Sequence, residues 1–358
     1  MKRNIMENKK KNLRSLSNHE ISIFCRQLSM LTKGGVSPYE CINLLISDTK
    51  DSEGKFILSK IMNILNTGER LHTAMEYSGV FPDYVIKMIT LGEESGRLDT
   101  VLDSLANFYE REDELNENIR SAFTYPLVMI AIMIVVVFVI LSKVMPIFAD
   151  VFAQLGTAMN AFSESLVALG RSINNYSVIL IVIMTALVCL AVYLVHGRGG
   201  KKFLLLIAQK LPVTGKLYRD IAAGRFASGM ALTLASGMDT YRSLDIVADL
   251  VENKDISSRI ENAKKLIRED GMTFPEALEK TEIFSQLYTR MILVGFKSGA
   301  MDVSFRETAE HYTIDTDRRI YGIISVIEPT LVIILSIIVG LILLSVIMPL
   351  MGIMSSIG

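Results

Sequence analysis

Apolar residues along this chain come in two textures: long runs without any charge, and shorter stripes recurring at helical spacing. No charged side chain occurs from Ser121 to Ser142, around LVMIAIMIVVVFVIL, or from Ser172 to Val195, around VILIVIMTALVCLAVYLV. None occurs from Pro329 to Gly358, with LVIILSIIVGLILLSVIM in the middle. A bilayer core of ~30 Å takes ~20 apolar helical residues. A buried helix of a soluble protein rarely stays uncharged on every face for that long. The pattern therefore predicts three transmembrane helices, over 121–145, 172–195 and 329–351. The stripes have another character. Leu98, Val101, Leu102, Leu105, Phe108 and Tyr109 lie on one helical face, with Asp103, Glu110 and Glu112 off it. Ser17 with Glu20, and Ser37-Pro38-Tyr39-Glu40, read as capping boxes, and Gly34-Gly35 as a helix end and turn. No period-2 apolar run is long enough for a sheet, so the fold class is an all-α membrane protein.

The stretches outside the spans resemble each other. Adding about 203 to a residue number moves from one copy to the next. FCRQLSMLTKGGVSPYECINLL begins at Phe24 and FASGMALTLASGMDTYRSLDIV at Phe226. Gly68, Ala74 and Phe81 return as Gly271, Ala277 and Phe284. GEESGRLD, from Gly92 to Asp99, returns as GFKSGAMD, from Gly295 to Asp302. The spans take part too: Pro126 and Pro329 open the first and third, while Met145-Pro146 and Met348-Pro349 close them. The unit is a helical bundle of roughly a hundred residues followed by one span. The expected order is a basic tail (1–16), a first helical domain (17–120), a span, an extracytoplasmic loop (146–171) and a returning span. A second helical domain (196–328), the third span and an extracytoplasmic tail (352–358) complete it.

Charge orients the chain. Arg198, Lys201, Lys202, Lys210, Lys216 and Arg219 precede the first acid after the second run, Asp220, whereas the only basic residues between the first two runs are Lys143 and Arg171, balanced by Asp150 and Glu164. The positive-inside rule puts the N-terminus and the long middle segment in the cytoplasm and the C-terminus outside. Tyr125, Tyr176, Tyr193 and Tyr321 fall near the predicted boundaries. No apolar core follows the basic start, so no cleavable signal peptide is expected. Of the 358 residues 50% are hydrophobic and 21% charged, which excludes disordered and low-complexity classes. With 37 Lys+Arg against 38 Asp+Glu there is no global basic field for nucleic acid. Cys25, Cys41 and Cys189 are scattered, which excludes a disulfide framework or a cysteine zinc site.

Candidate chemistry is sparse. Gly200-Lys201-Lys202 and Gly215-Lys216-Leu217 lack both the Ser/Thr and the upstream glycine of a P-loop. His19, His72, His196 and His311 have no metal-ligand spacing, and no Gly-x-Ser-x-Gly elbow occurs. No catalytic residue, cofactor or metal is expected. The most specific local motif is Gly-x-x-Ser-Gly-x-x-Asp: Gly92, Ser95, Gly96 and Asp99, then Gly295, Ser298, Gly299 and Asp302. As a helix–loop–helix joint, Gly96 and Gly299 would take left-handed angles and the aspartates would satisfy orphan amides of the next helix. As a docking surface, Glu93, Glu94 and Arg97 would meet a partner. The joint explains each residue type better. The basic run 198–219 reads first as a topology determinant and anionic-lipid contact. Phe148, Val151, Phe152 and Leu155 have helical spacing, and Glu328 marks the cytoplasmic mouth of the third span.

The ordered duplication, the GEESGRLD motif, Tyr125-Pro126, both Met-Pro exits and the three-span plan resemble the F-protein (GspF/PilC) platform proteins of type II secretion and type IV pilus systems. The likeness runs from about Phe24 to Pro349. It implies an inner-membrane protein without catalysis of its own. Such a protein binds a cytoplasmic hexameric assembly ATPase and helps lift pilin or pseudopilin subunits from the membrane into a filament. It also implies contacts with other inner-membrane assembly proteins and a homo-oligomer, dimer or higher. Two departures stand out: Phe296-Lys297 replaces Glu93-Glu94 in the second copy, and the external loop has Met159-Asn160 near the place of the usual Leu-Pro. A transporter would show intramembrane ionisable groups or broken helices, and a membrane-anchored signalling protein a substantial external domain. Neither feature is present in the sequence.

Overall fold

In a computed structural model of the chain, described for residues 14–154, 165, 168 and 212–357, every regular element is helical. The first repeat consists of α1 (Asn18–Lys33), α2 (Pro38–Asp48), α3 (Ser52–Leu65), α4 (Leu71–Ser78), α5 (Asp83–Ser95) and α6 (Leu98–Val139). A π turn (Ile140–Val144) and α7 (Met145–Gln154) follow. The second repeat consists of α8 (Pro212–Ala235), α9 (Thr240–Ala248), α10 (Lys254–Arg268), α11 (Phe274–Thr281), α12 (Gln286–Ser298) and α13 (Met301–Ile357). Helix for helix, the second set repeats the first. The predicted span 172–195 and most of the loop 146–171 lie outside the described residues.

Local chemistry starts these helices where the sequence places them. Ser17 accepts the Glu20 N–H at 3.3 Å while Glu20 accepts the Ser17 N–H at 2.7 Å, and Ser37 with Glu40 does the same for α2. Asp239 and Asn253 cap α9 and α10 through their side chains. One position breaks the symmetry. Gly79 ends α4 at φ 71°, but its counterpart after α11 is Glu282, at φ 49°. A side chain in that region costs ~1–2 kcal/mol. The Glu282 carbonyl accepts from Arg259 at 3.0 Å and Arg219 at 3.2 Å, which holds the turn.

Contacts divide the molecule into two units. One gathers the residues up to Asn116 with Lys216–Thr316; the other begins at Glu117 and again at Asp317. In the first unit a single apolar core threads both repeats. Its aromatic pairs repeat as the sequence does: Phe24 packs on Phe81 with ring centroids 5.1 Å apart, and Phe226 on Phe284 at 5.7 Å. The stripe of Val101, Leu102, Leu105, Phe108 and Tyr109 is buried, as its periodicity predicts. The repeats also meet through ions. Arg225 on α8 forms a two-bond fork to Glu112 on α6, Nε to Oε1 at 2.9 Å and Nη2 to Oε2 at 2.5 Å. Lys87 on α5 reaches Asp249, just beyond α9, at 2.9 Å, and Arg111 on α6 lies 3.7 Å from Glu310 on α13. Burial works against the Arg225 charge, but Glu112 outweighs it and holds the guanidinium above its ordinary range.

In the second unit the apolar parts of α6 and α13 lie side by side. Asn118 donates to Asp317 at 3.2 Å, the Tyr125 hydroxyl to Glu328 at 3.0 Å, and Met145 is buried against Ile342 and Val346. Partner numbers rise together along both helices, so the two run parallel. Tyr125 and Glu328 are equivalent positions of the repeat, each just before a proline. Among the described residues, two helices are long and apolar enough to cross a membrane, within Leu98–Val151 and Met301–Ile347.

Pro126 lies inside α6, and Pro329 and Pro349 lie inside α13, so the helices run on through the prolines expected to bound the first and third spans. A proline removes one ladder hydrogen bond, yet transmembrane helices tolerate it because local adjustments re-satisfy the freed groups. Pro146 shows such an adjustment. Without its N–H the Ser142 carbonyl loses its usual partner, and the ladder just before it widens, with Met145 N–H donating to the Ile140 carbonyl. The helix then continues as α7 to Gln154, where Phe148 and Ala149 pack on the Met145 cluster.

Candidate functional site: the Gly-x-x-Ser-Gly joints

Each motif is the hinge between a repeat's fifth helix and its long sixth one. α5 stops when the Arg97 N–H turns back to the Gly92 carbonyl at 2.9 Å, with Gly96 at φ 68°. α12 stops the same way, Ala300 to Gly295 at 2.8 Å, with Gly299 at φ 73°. The first glycine of each motif has a separate task. A Cβ on Gly92 would stand 3.1 Å from Leu98 Cα and 3.2 Å from Val101 Cβ; on Gly295 it would stand 2.6 Å from Ser304 Cβ. One glycine makes the turn, and the other lets the next helix fold back closely. Ser95 Oγ donates to the Leu91 carbonyl at 2.7 Å and Ser298 Oγ to Gly295 at 3.2 Å, satisfying last-turn carbonyls.

The aspartates correct one expectation. Asp99 and Asp302 lie in the first turns of α6 and α13, but neither side chain bonds a backbone amide among the described residues. Asp99 accepts only from Thr100 Oγ1, at 3.5 Å. Their effect is the interaction of a carboxylate with the positive end of a helix.

Glu93 corrects another. Its side chain is only 13% exposed and turned inward. The carboxylate accepts the backbone N–H of Leu71 at 2.9 Å and of His72 at 3.2 Å, and contacts the His72 ring through Nδ1. It thereby caps α4, whose own N-cap residue, Arg70, supplies no acceptor. The second repeat solves the problem locally. Thr273 stands at the position of Arg70, its N–H donating to Glu276 at 2.9 Å in a capping box, and Pro275 replaces His72 and has no N–H to satisfy. Position 296 is thereby released from capping and carries an exposed phenylalanine. Glu94 and Arg97 are exposed, and among the described residues neither makes an ion pair or side-chain hydrogen bond. Of the three candidate docking residues the fold leaves these two available.

Sequence reasoning missed the Glu93 cap and the Arg225–Glu112 fork. A signal for the first was present in the paired substitutions Arg70/Thr273 and Glu93/Phe296. The second joins residues distant in sequence, and neither type nor spacing announces it. No cluster of three or more His, Cys, Asp or Glu suited to a metal occurs among the described residues.

A duplicated six-helix bundle, each copy ending in a long apolar helix, defines the class: a helical membrane protein built from two homologous halves. The sequence model of type II secretion system (T2SS), protein F matches twice, over residues 24–146 and 226–349, and the chain belongs to that family. Each match begins in the first helix of a repeat and ends in its apolar part. Similar proteins include the type IV pilus assembly protein PilC of Thermus thermophilus, 27% identical across 95% of this chain and 84% of that protein. PilC of Myxococcus xanthus is 27% identical across 94% and 81%. The type II secretion system protein F of Vibrio cholerae is 23% identical across 94% and 83%. The resemblance carried by the duplication and the GEESGRLD motif is borne out.

Proposed function

We propose that the protein is an inner-membrane platform for assembly of a type IV pilus or a type II secretion pseudopilus. It couples a cytoplasmic assembly ATPase to entry of pilin or pseudopilin subunits into the filament and hydrolyses nothing itself. The observation that carries this reading is the double family match, each half running from helical bundle into apolar helix. The parallel course of α6 and α13 supports the three-span topology. Two parallel helices cross a membrane in the same direction, so the chain between them must return, and the uncharged run 172–195 is long enough to do so. Basic residues from Arg198 to Arg219 favour a cytoplasmic location for both bundles. Glu94 and Arg97, exposed and unengaged at the first joint, are the contacts we assign to the ATPase.

Capture tests the reading. Full-length protein in detergent should retain an assembly ATPase from the same organism, and Glu94→Lys with Arg97→Glu should weaken that retention and filament yield together. Wild-type capture and filaments in the double variant would make the joint purely structural. A wild-type protein that captures no ATPase would count against the coupling itself.

A further inference from the structure

The contact between the two repeats is head-to-tail, and its unused counterpart surfaces remain open. Two ion pairs between the repeats, Arg225–Glu112 and Lys87–Asp249, join the late helices of the first repeat (α5, α6) to the early helices of the second (α8, α9). Another, Arg111–Glu310, joins the two late helices. Duplication means that each repeat carries both an early and a late face. The early face of the first repeat and the late face of the second are not used in this way.

Those are the faces on which exposed apolar side chains collect. In the first repeat Ile23, Met30, Tyr39 and Leu44 stand out on α1 and α2, while no large exposed apolar residue occurs between 78 and 116. In the second repeat the distribution inverts. Leu287, Val294, Phe296 and Val303 stand out on α12 and the start of α13, and between 216 and 286 only Tyr241 does so. Equivalent positions make the contrast direct. Leu287 is 65% exposed where Tyr84 is 4%, and Val294 is 65% exposed where Leu91 is partly buried. On the early side Leu44 is 48% exposed where Ile246 is partly buried.

We propose that a second copy of this chain seats its α1–α2 face on the α12–α13 face of the first. The chemistry matches the internal contact with its polarity changed. Arg290 keeps the positive charge of Lys87, and Asp48 is exposed without an ion pair beside Ser47, the counterpart of Asp249. Ile23 replaces Arg225, so the new contact needs no buried fork. Asp315, the counterpart of Glu112, is already engaged within its own repeat by the Tyr288 hydroxyl at 2.9 Å and leaves no stranded charge. Burial and then that bond push the Tyr288 hydroxyl up to about 12. Two copies related by a two-fold axis make the contact twice and close a ring of four repeats.

The test is a photo-reactive amino acid at position 44 of the full-length protein, in native membranes containing two differently tagged copies. The expected product joins two chains, with the reactive residue attached within residues 286–303 of the other copy. Leu287→Asp with Val294→Asp lowers its yield on the order of tenfold, whereas Tyr77→Asp, off both faces, leaves it unchanged. Attachment to another copy's α1–α2, or no inter-chain product from the otherwise native chain, overturns the proposal. The crosslink reads association alone, so its absence with filaments intact removes this surface and leaves the platform reading standing.

Discussion

Replacing Glu93 separates a structural joint from a docking one. Its carboxylate receives two backbone N–H groups of α4 in a site that is 13% exposed. Losing an N-cap costs about 0.5–2 kcal/mol, and a buried N–H left without a partner about 1–3 kcal/mol. These overlap, since the same amides are counted in both, so Glu93→Ala should destabilise the first repeat by about 2–3 kcal/mol. At about 2–4 °C per kcal/mol for a unit of this size, the melting temperature should fall by roughly 4–12 °C. Glu93→Gln keeps one acceptor oxygen but loses the charge facing the helix end, and should cost about 1 kcal/mol. The second repeat supplies the rescue: Arg70→Thr added to Glu93→Ala gives α4 a cap residue of its own. Phe296→Ala should matter little for α11. Hydrogen exchange on the full-length protein in detergent reads the site directly, with faster exchange at Leu71–Thr73 in Glu93→Ala, slowed again by Arg70→Thr. Unchanged exchange there, with an unchanged melting temperature, would refute the capping role.

Arg225→Ala strands the Glu112 carboxylate between the repeats and should cost about 3–5 kcal/mol in denaturant unfolding, while replacing both partners by apolar residues recovers most of it. Glu282→Gly relieves a left-handed side chain and should stabilise the second repeat by about 1 kcal/mol, read as a higher denaturant midpoint. Burial raises the Cys25 thiol to about 12, so the folded state holds this proton more tightly than the unfolded one, whose thiol titrates near ~8.5. The contribution is complete below the unfolded value and declines as pH rises from there towards 12; accordingly Cys25 should resist alkylation at pH 8 in the folded protein and react on unfolding.

Periodicity and capping chemistry made most of the fold legible. Ser17–Glu20 and Ser37–Glu40 start helices where they stand, and the α6 stripe is buried because apolar positions at helical spacing share one face. The joints were legible as turns because only glycine takes φ near 70° without cost. What the sequence hid is long-range. Glu93 reads as a surface acid until α4 is seen to lack an acceptor of its own, and Arg225 and Glu112 become partners only when two helices meet. The prolines expected at the span boundaries do not end helices: α6 and α13 run through them.

If the protein is the platform proposed above, filament growth depends on it while ATP turnover by the assembly ATPase does not. The most direct measurement is a chromosomal deletion, complemented in trans, scored for surface pili or pseudopilus-dependent export alongside the turnover of the purified assembly ATPase. The expected result is no filaments or export in the deletion, full recovery with the wild-type chain, and an ATPase whose basal hydrolysis is unchanged. Filaments assembled at normal levels without the chain would contradict it.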